Sequence, residues 1–150
     1  MADFDALRAA LVAWETARRD HDAAASRLDK QRDRFPAICR ALRTSEGELR
    51  MQLRWARTGT RPRGGNDAAA SRRWANWTAV RRSKLAQDWL SKLVRSEAEQ
   101  RAAHARLAEA TRALVALMGL RDAAIATGRS EGQLRALCRA TASTREAAGA

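Results

Sequence analysis

Three features of the chain predict an all-α fold. Apolar residues recur at alternating spacings of 3 and 4 over residues 3–34 and again over 79–118, the rhythm of a helix with one packed side. There is no Tyr, there are only two Pro, and no run alternates Val, Ile or Thr with polar residues, so the signs of a strand are missing. The hexamer Ser45-Glu46-Gly47-Glu48-Leu49-Arg50 returns 85 positions on as Ser130-Glu131-Gly132-Gln133-Leu134-Arg135. The expected architecture is two long helices plus two helix-turn-helix-like units, laid out along the chain as an internal pseudo-repeat.

The first long helix is expected over residues 3–34. Its seam reads Phe4, Leu7, Leu11, Trp14, Arg18, His21, Ala25, Leu28, Arg32 and Phe35. Arg18, His21 and Arg32 interrupt it, as polar seam residues that fix register do. Pro36 ends it, because proline lacks the amide and disfavours helix in the residue before it. Helices over 37–43 and 45–57 follow. Ser45 caps the second of these, its hydroxyl accepting a hydrogen bond from a free amide of the first turn, and Glu46 suits the positive end of the helix dipole. Leu49, Leu53 and Ala56 share the inward face, while Glu48, Arg50, Arg54 and Arg57 lie off it.

Residues 59–67 form a basic Gly/Pro linker, read either as a plain connector or, through Arg61 and Arg63, as a short arm for a minor groove. Asp67 or Ser71 then caps a helix in which Arg72, Arg73, Arg81 and Arg82 interleave with Trp74 and Trp77. Those indoles pack into a core or stack on bases, with the arginines outside touching phosphate. The second long helix, from about 79 to 118, has a seam of Leu90, Leu93, Glu97, Gln100, His104, Leu107, Thr111, Leu114 and Met118. Arg18-x-x-His21 is echoed there by Arg101-x-x-His104, so pairing of the long helices would bring the two histidines into one seam. Gly119 caps this helix, residues 120–140 repeat the corner with Gly128 at its turn, and 142–150 form a frayed tail. Along the chain this gives segments 1–58, 59–67, 68–141 and 142–150.

A short helix, a tight turn and a capped second helix are the layout of a helix-turn-helix, whose second helix enters the major groove of DNA. Residues 38–57 resemble the helix-turn-helix in region 4 of sigma factors. Ile38, Leu42, Ser45, Glu46, Gly47, Arg50, Leu53, Ala56 and Arg57 fall on that pattern, Leu49 replaces its Val, Glu48 departs from its Thr, and Arg43 departs from its turn Gly. The likeness covers about 20 of the 150 residues, or about 35 with the weaker second copy. It implies a DNA-reading corner and nothing of promoter recognition.

Charge points the same way. Of a net +12, residues 31–84 contribute +10, with 14 basic and 4 acidic groups. A localised basic block is the footprint of a polyanion-binding surface. The excess of 26 Arg over 3 Lys reflects base composition as much as chemistry, but such bias does not place basic groups in one block. Cys39 and Cys138, without a CxxC or a nearby His, make neither a zinc site nor a disulfide framework. The acidic start of the chain has no signal-peptide character, and no apolar run reaches membrane-span length. The expected location is the cytoplasm, at the nucleoid in a bacterium. No phosphate loop, metal motif or nucleophile elbow is visible, so neither an enzyme nor a cofactor is expected.

The reading is a DNA-binding protein: a small regulator, or a nucleoid, phage or plasmid DNA-handling factor. Thr44, Ser45, Glu48, Ser130 and Gln133 are placed to meet backbone or base edges. Arg50, Arg54, Arg57, Arg61, Arg63, Arg72, Arg73, Arg81, Arg82, Arg135 and Arg139 meet double-stranded DNA through its phosphates. The long helices offer a homodimer seam. The alternative is a helical assembly or adaptor protein, in which the seams are the function and the hexamers only interhelical corners.

Overall fold

The computed structural model describes residues 2–58 and 83–149, with the side chains of 2, 55–58 and 141–149 excepted. Every regular element among the described residues is an α-helix, as the sequence predicts. The linker at 59–67 and the Trp/Arg helix after it, with Arg61, Arg63, Arg72, Arg73, Arg81 and Arg82, lie outside the described residues.

Helix α1 (Ala2–Asp33) opens with Asp3 and Asp5 and closes with Lys30 and Arg32, charges of the sign each end of the dipole favours. A single residue, Arg34, separates it from α2 (Phe35–Leu42), which carries Pro36 in its first turn, where the missing amide costs nothing. The α1 seam keeps the predicted Trp14, His21 and Leu28 but shifts by one position at 18 and 25. Ala17 and Ala24 are buried, whereas Arg18 and Ala25 are half-buried and Arg32 is exposed. The 3-and-4 rhythm therefore runs through 14, 17, 21, 24 and 28. Alanines that look neutral in the sequence occupy its narrow positions, and Arg18 turns aside to pair with Glu15 and Asp22.

The turn after α2 is held by Arg43, in the left-handed region at φ 53° and ψ 43°. The Arg43 amide donates to the Arg40 carbonyl at 3.2 Å and that of Thr44 to the Cys39 carbonyl at 3.1 Å, the paired bonds of a Schellman end. A side chain in this conformation costs roughly 1–2 kcal/mol. Arg43→Gly should therefore raise the unfolding free energy by about 0.5–1 kcal/mol, part of the gain being offset by the freer unfolded chain. Urea denaturation followed by circular dichroism measures it, and a destabilised variant would contradict the turn.

Helix α3 (Glu46–Thr58) starts at Ser45, whose Oγ accepts from the Glu48 amide at 3.2 Å. Leu49 and Leu53 are buried as predicted, while the side chain of Ala56 lies outside the description. Gln52, which no apolar pattern marks, is also buried, and its Nε2 donates to Glu48 Oε1 at 3.1 Å.

Helix α4 (Lys84–Met118) begins later than the predicted 79. Ser83 caps it, its Oγ accepting from the Ala86 amide at 3.2 Å. Gly119, at φ 84°, ends it. Helices α5 (Leu120–Thr127) and α6 (Glu131–Gly149) complete the chain, so the predicted boundary near 141 falls inside α6. None of the described helices is long and apolar enough to cross a membrane.

The structure divides into two compact units, one of residues 1–26 with 98–150 and the other of 27–97. Both long helices contribute to each. In the 27–97 unit, Leu28, Ile38, Leu49, Leu53, Ala86, Trp89 and Leu93 form the core. There the Trp89 indole donates to the Gln31 carbonyl at 2.8 Å, near the end of α1, where that carbonyl also accepts the longer 3.3 Å bond from the Arg34 amide. In the other unit Trp14, Ala17, Leu107, Leu114, Ala123 and Leu134 are buried together. Trp14 donates to Thr111 Oγ1 at 3.0 Å, and that hydroxyl donates to the Leu107 carbonyl at 2.7 Å.

His21 and His104 do meet between α1 and α4, with His104 Nδ1 3.4 Å from His21 Nε2 and the rings tilted at 49°. Burial, and secondarily the neighbouring His21, holds the His104 imidazole below its ordinary pKa. The neutral form is thus favoured in the folded chain, while the unfolded chain takes up the proton more readily. Its contribution to stability is complete above the unfolded value near 6.5 and is lost as pH falls through the lower folded value. Glu15, held below the usual carboxylate range chiefly by its hydrogen bond with Arg18, stays ionised across that window. Urea midpoints should fall between pH 7.5 and pH 5, and His104→Gln should flatten the fall. An equally steep fall in the variant would exclude the pair as its cause.

Candidate nucleic-acid interface

The first corner exposes one face of α3. Glu46, Gly47, Arg50, Met51 and Arg54 point outward, opposite buried Leu49, Gln52 and Leu53. Arg50 and Arg54 stand one turn apart on that face, as an i, i+4 pair must. Arg32, Arg40 and Arg43 are also exposed in this unit, as are the acidic Asp29, Asp33, Glu46 and Asp88. Arg50 lies 3.8 Å from Glu46 across an exposed pair, and its guanidinium sits over the Phe35 ring at 5.5 Å. An exposed ion pair of this kind is worth about 0–1 kcal/mol, so a phosphate can displace it.

The polar candidates beside these arginines are occupied within the fold. Ser45 Oγ serves the cap, and half-buried Glu48 accepts from Gln52. Thr44 corrects the sequence reading, because its Oγ1 is buried and finds no partner among the described residues, so its hydroxyl is not turned toward a ligand outside. Arg57 belongs to α3, but its side chain lies outside the description. Cys39 is buried, and burial first, then the Glu46 charge, pushes its thiol above the ordinary value, which makes it a poor nucleophile.

The second corner repeats the first at the same 85-residue interval. Gly128 holds the left-handed position of Arg43, at φ 69°, and Ala123 and Leu134 are buried where Ile38 and Leu49 are. Ser130 Oγ accepts from the Gln133 amide at 3.1 Å, and Gln133 Oε1 accepts from the Ser130 amide at 3.0 Å. This is a complete capping box, which the first copy lacks because Glu48 turns to Gln52. Arg135 faces Glu131 at 3.8 Å, as Arg50 faces Glu46. Arg135 and Arg139 are exposed.

Sequence reasoning missed a groove of about 520 Å³ within the 27–97 unit. Phe35, Leu53, Trp89 and Leu93 form its floor, and Arg32, Arg50, Arg54 and Glu97 stand around it. Phe35 and Trp89 meet with centroids 5.7 Å apart at 41°. The spacing of Ala86, Trp89, Leu93 and Ser96 was the available signal for Trp89. Arg32, read as a seam residue, is a rim residue instead.

The chain matches no protein-family model, no curated protein and no solved structure.

Proposed function

We propose that the chain binds double-stranded DNA, with the outer face of α3 as one contact surface and that of α6 as another. The observation that carries this reading is the twin corner: two copies of one capped turn, each setting an exposed arginine pair on its second helix. Gly47 and Gly132 add to it. Among the described residues, a Cβ built at Gly47 meets nothing within 4 Å, and one at Gly132 meets only Ser130 Oγ at 3.9 Å. Packing among the described residues thus asks for glycine at neither place, although glycine weakens a helix by about 1 kcal/mol relative to alanine. A bare backbone on the outward face suits a partner that comes close, as a phosphate backbone does.

The test is fluorescence anisotropy with a labelled random duplex between 50 and 200 mM salt. Affinity should fall steeply with salt, through counterion release. In Arg50→Ala/Arg54→Ala the log–log slope should shrink by about 2, one for each lost phosphate contact. Gly47→Ala should bind more weakly while unfolding at higher urea. No binding of the wild type at 50 mM would defeat the reading.

One observation favours the assembly reading. Phe4 is 69% and Val12 62% exposed on α1, large apolar side chains left outside the core. The variant that isolates this reading is Val12→Asp. Leu11→Asp serves less well, because Leu11 packs against the core of its own unit and its loss disturbs folding. Multi-angle light scattering that shows an oligomer broken by Val12→Asp, with no duplex binding, would establish assembly.

A further inference from the structure

We propose that the groove of the 27–97 unit is a binding site for a small aromatic anion, a ring carrying a carboxylate or similar acid. The ring rests on Phe35 and Leu93, and the acid meets Arg32 and Arg50. The volume of about 520 Å³ lies inside the range of about 300–1,000 Å³ typical of small-molecule sites. Its floor is apolar and partly aromatic, which favours a flat hydrophobic body. Its mouth is cationic, with three arginines against Glu97, which favours a negative end.

Two of those arginines are well disposed. Arg50 already rests over the Phe35 ring, its guanidinium carbon 5.5 Å from the centroid, so less motion is frozen when it closes on a ligand acid. Arg32 is exposed at the end of α1 and makes no ion pair among the described residues. A planar guanidinium matches a carboxylate with two parallel hydrogen bonds. Because Arg50 also belongs to the DNA-facing pair, an occupied groove opposes duplex binding. That consequence rests on the DNA reading, whereas the site itself does not.

The probe is 2-naphthoate, with uncharged 2-naphthamide as its control, titrated into the full chain by calorimetry. The expected result is one saturable site, with the amide weaker by about tenfold or more, as the loss of a charge-assisted contact implies. Arg32→Gln should weaken naphthoate by about tenfold and Arg32→Lys by less. Arg32 is exposed, so both variants should fold, which circular dichroism verifies. Equal binding of acid and amide, no saturation by 5 mM (roughly the weakest affinity of interest), or an unchanged Arg32→Gln would each overturn the site. With naphthoate at ten times its Kd, the apparent duplex Kd should rise about tenfold. An unmoved duplex Kd would overturn the shared use of Arg50. Loss of duplex binding in the absence of naphthoate, with naphthoate binding intact, would defeat the DNA reading and support the site.

Discussion

Replacing Trp89 with alanine should lower the unfolding free energy by about 3–5 kcal/mol, the range for truncating a large buried aromatic. Trp89 is 1% exposed and does two things at once. Its ring fills the space between the end of α1 and the corner of α2 and α3, against Phe35. Its indole N–H satisfies the Gln31 carbonyl near the end of α1. Trp89→Phe separates the two, since it keeps most of the apolar body but leaves that carbonyl with only the 3.3 Å bond from the Arg34 amide. It should cost about 1–3 kcal/mol. Urea denaturation of both variants, read by far-ultraviolet circular dichroism, gives the comparison. A cost below about 1 kcal/mol for the alanine variant would mean that this core is not closed by Trp89.

The second large effect tests the pseudo-repeat. Leu49→Ala and Leu134→Ala should each cost about 2–5 kcal/mol, because both side chains are 0% exposed at matching positions of the two corners. Met51→Ala, on the same helix as Leu49 but 41% exposed, should stay within about 0.5 kcal/mol. A large cost at Leu49 with a negligible one at Leu134 would show that the second corner only imitates the first in sequence.

How much of this was legible depends on where the deciding physics sits. The caps at Ser45 and Ser130, the break at Pro36, the inward Leu49 and Leu53 and the meeting of His21 with His104 follow from local chemistry or from spacing. The choice of Ala17 over Arg18 and of Ala24 over Ala25 does not follow, because alanine carries too little hydrophobic signal to decide between neighbouring positions. Only the partner helix shows how close the backbones come. The start of α4 was placed early because the apolar rhythm continues backward past Ser83, whose cap is visible only once its amide partner is known. The inward turn of the Thr44 hydroxyl is hidden for a related reason, since a turn residue's direction depends on the left-handed Arg43 before it. The groove was invisible because its floor joins residues from three helices, and Trp89 and Phe35 are 54 positions apart.

Both cores are closed from a distance along the chain. Ile38 and Leu49 depend on Ala86, Trp89 and Leu93, and Ala123 and Leu134 depend on Trp14 and Ala17. In hereditary terms, neither half of the gene encodes a part that can travel. A recombination that carried residues 1–58 into another protein would deliver a corner whose apolar side has lost its cover, and such surface invites aggregation. Residues 83–150 moved alone would suffer the same fate for want of the first helix. The two copies therefore constrain each other, because a substitution in one half is judged by the side chains of the other.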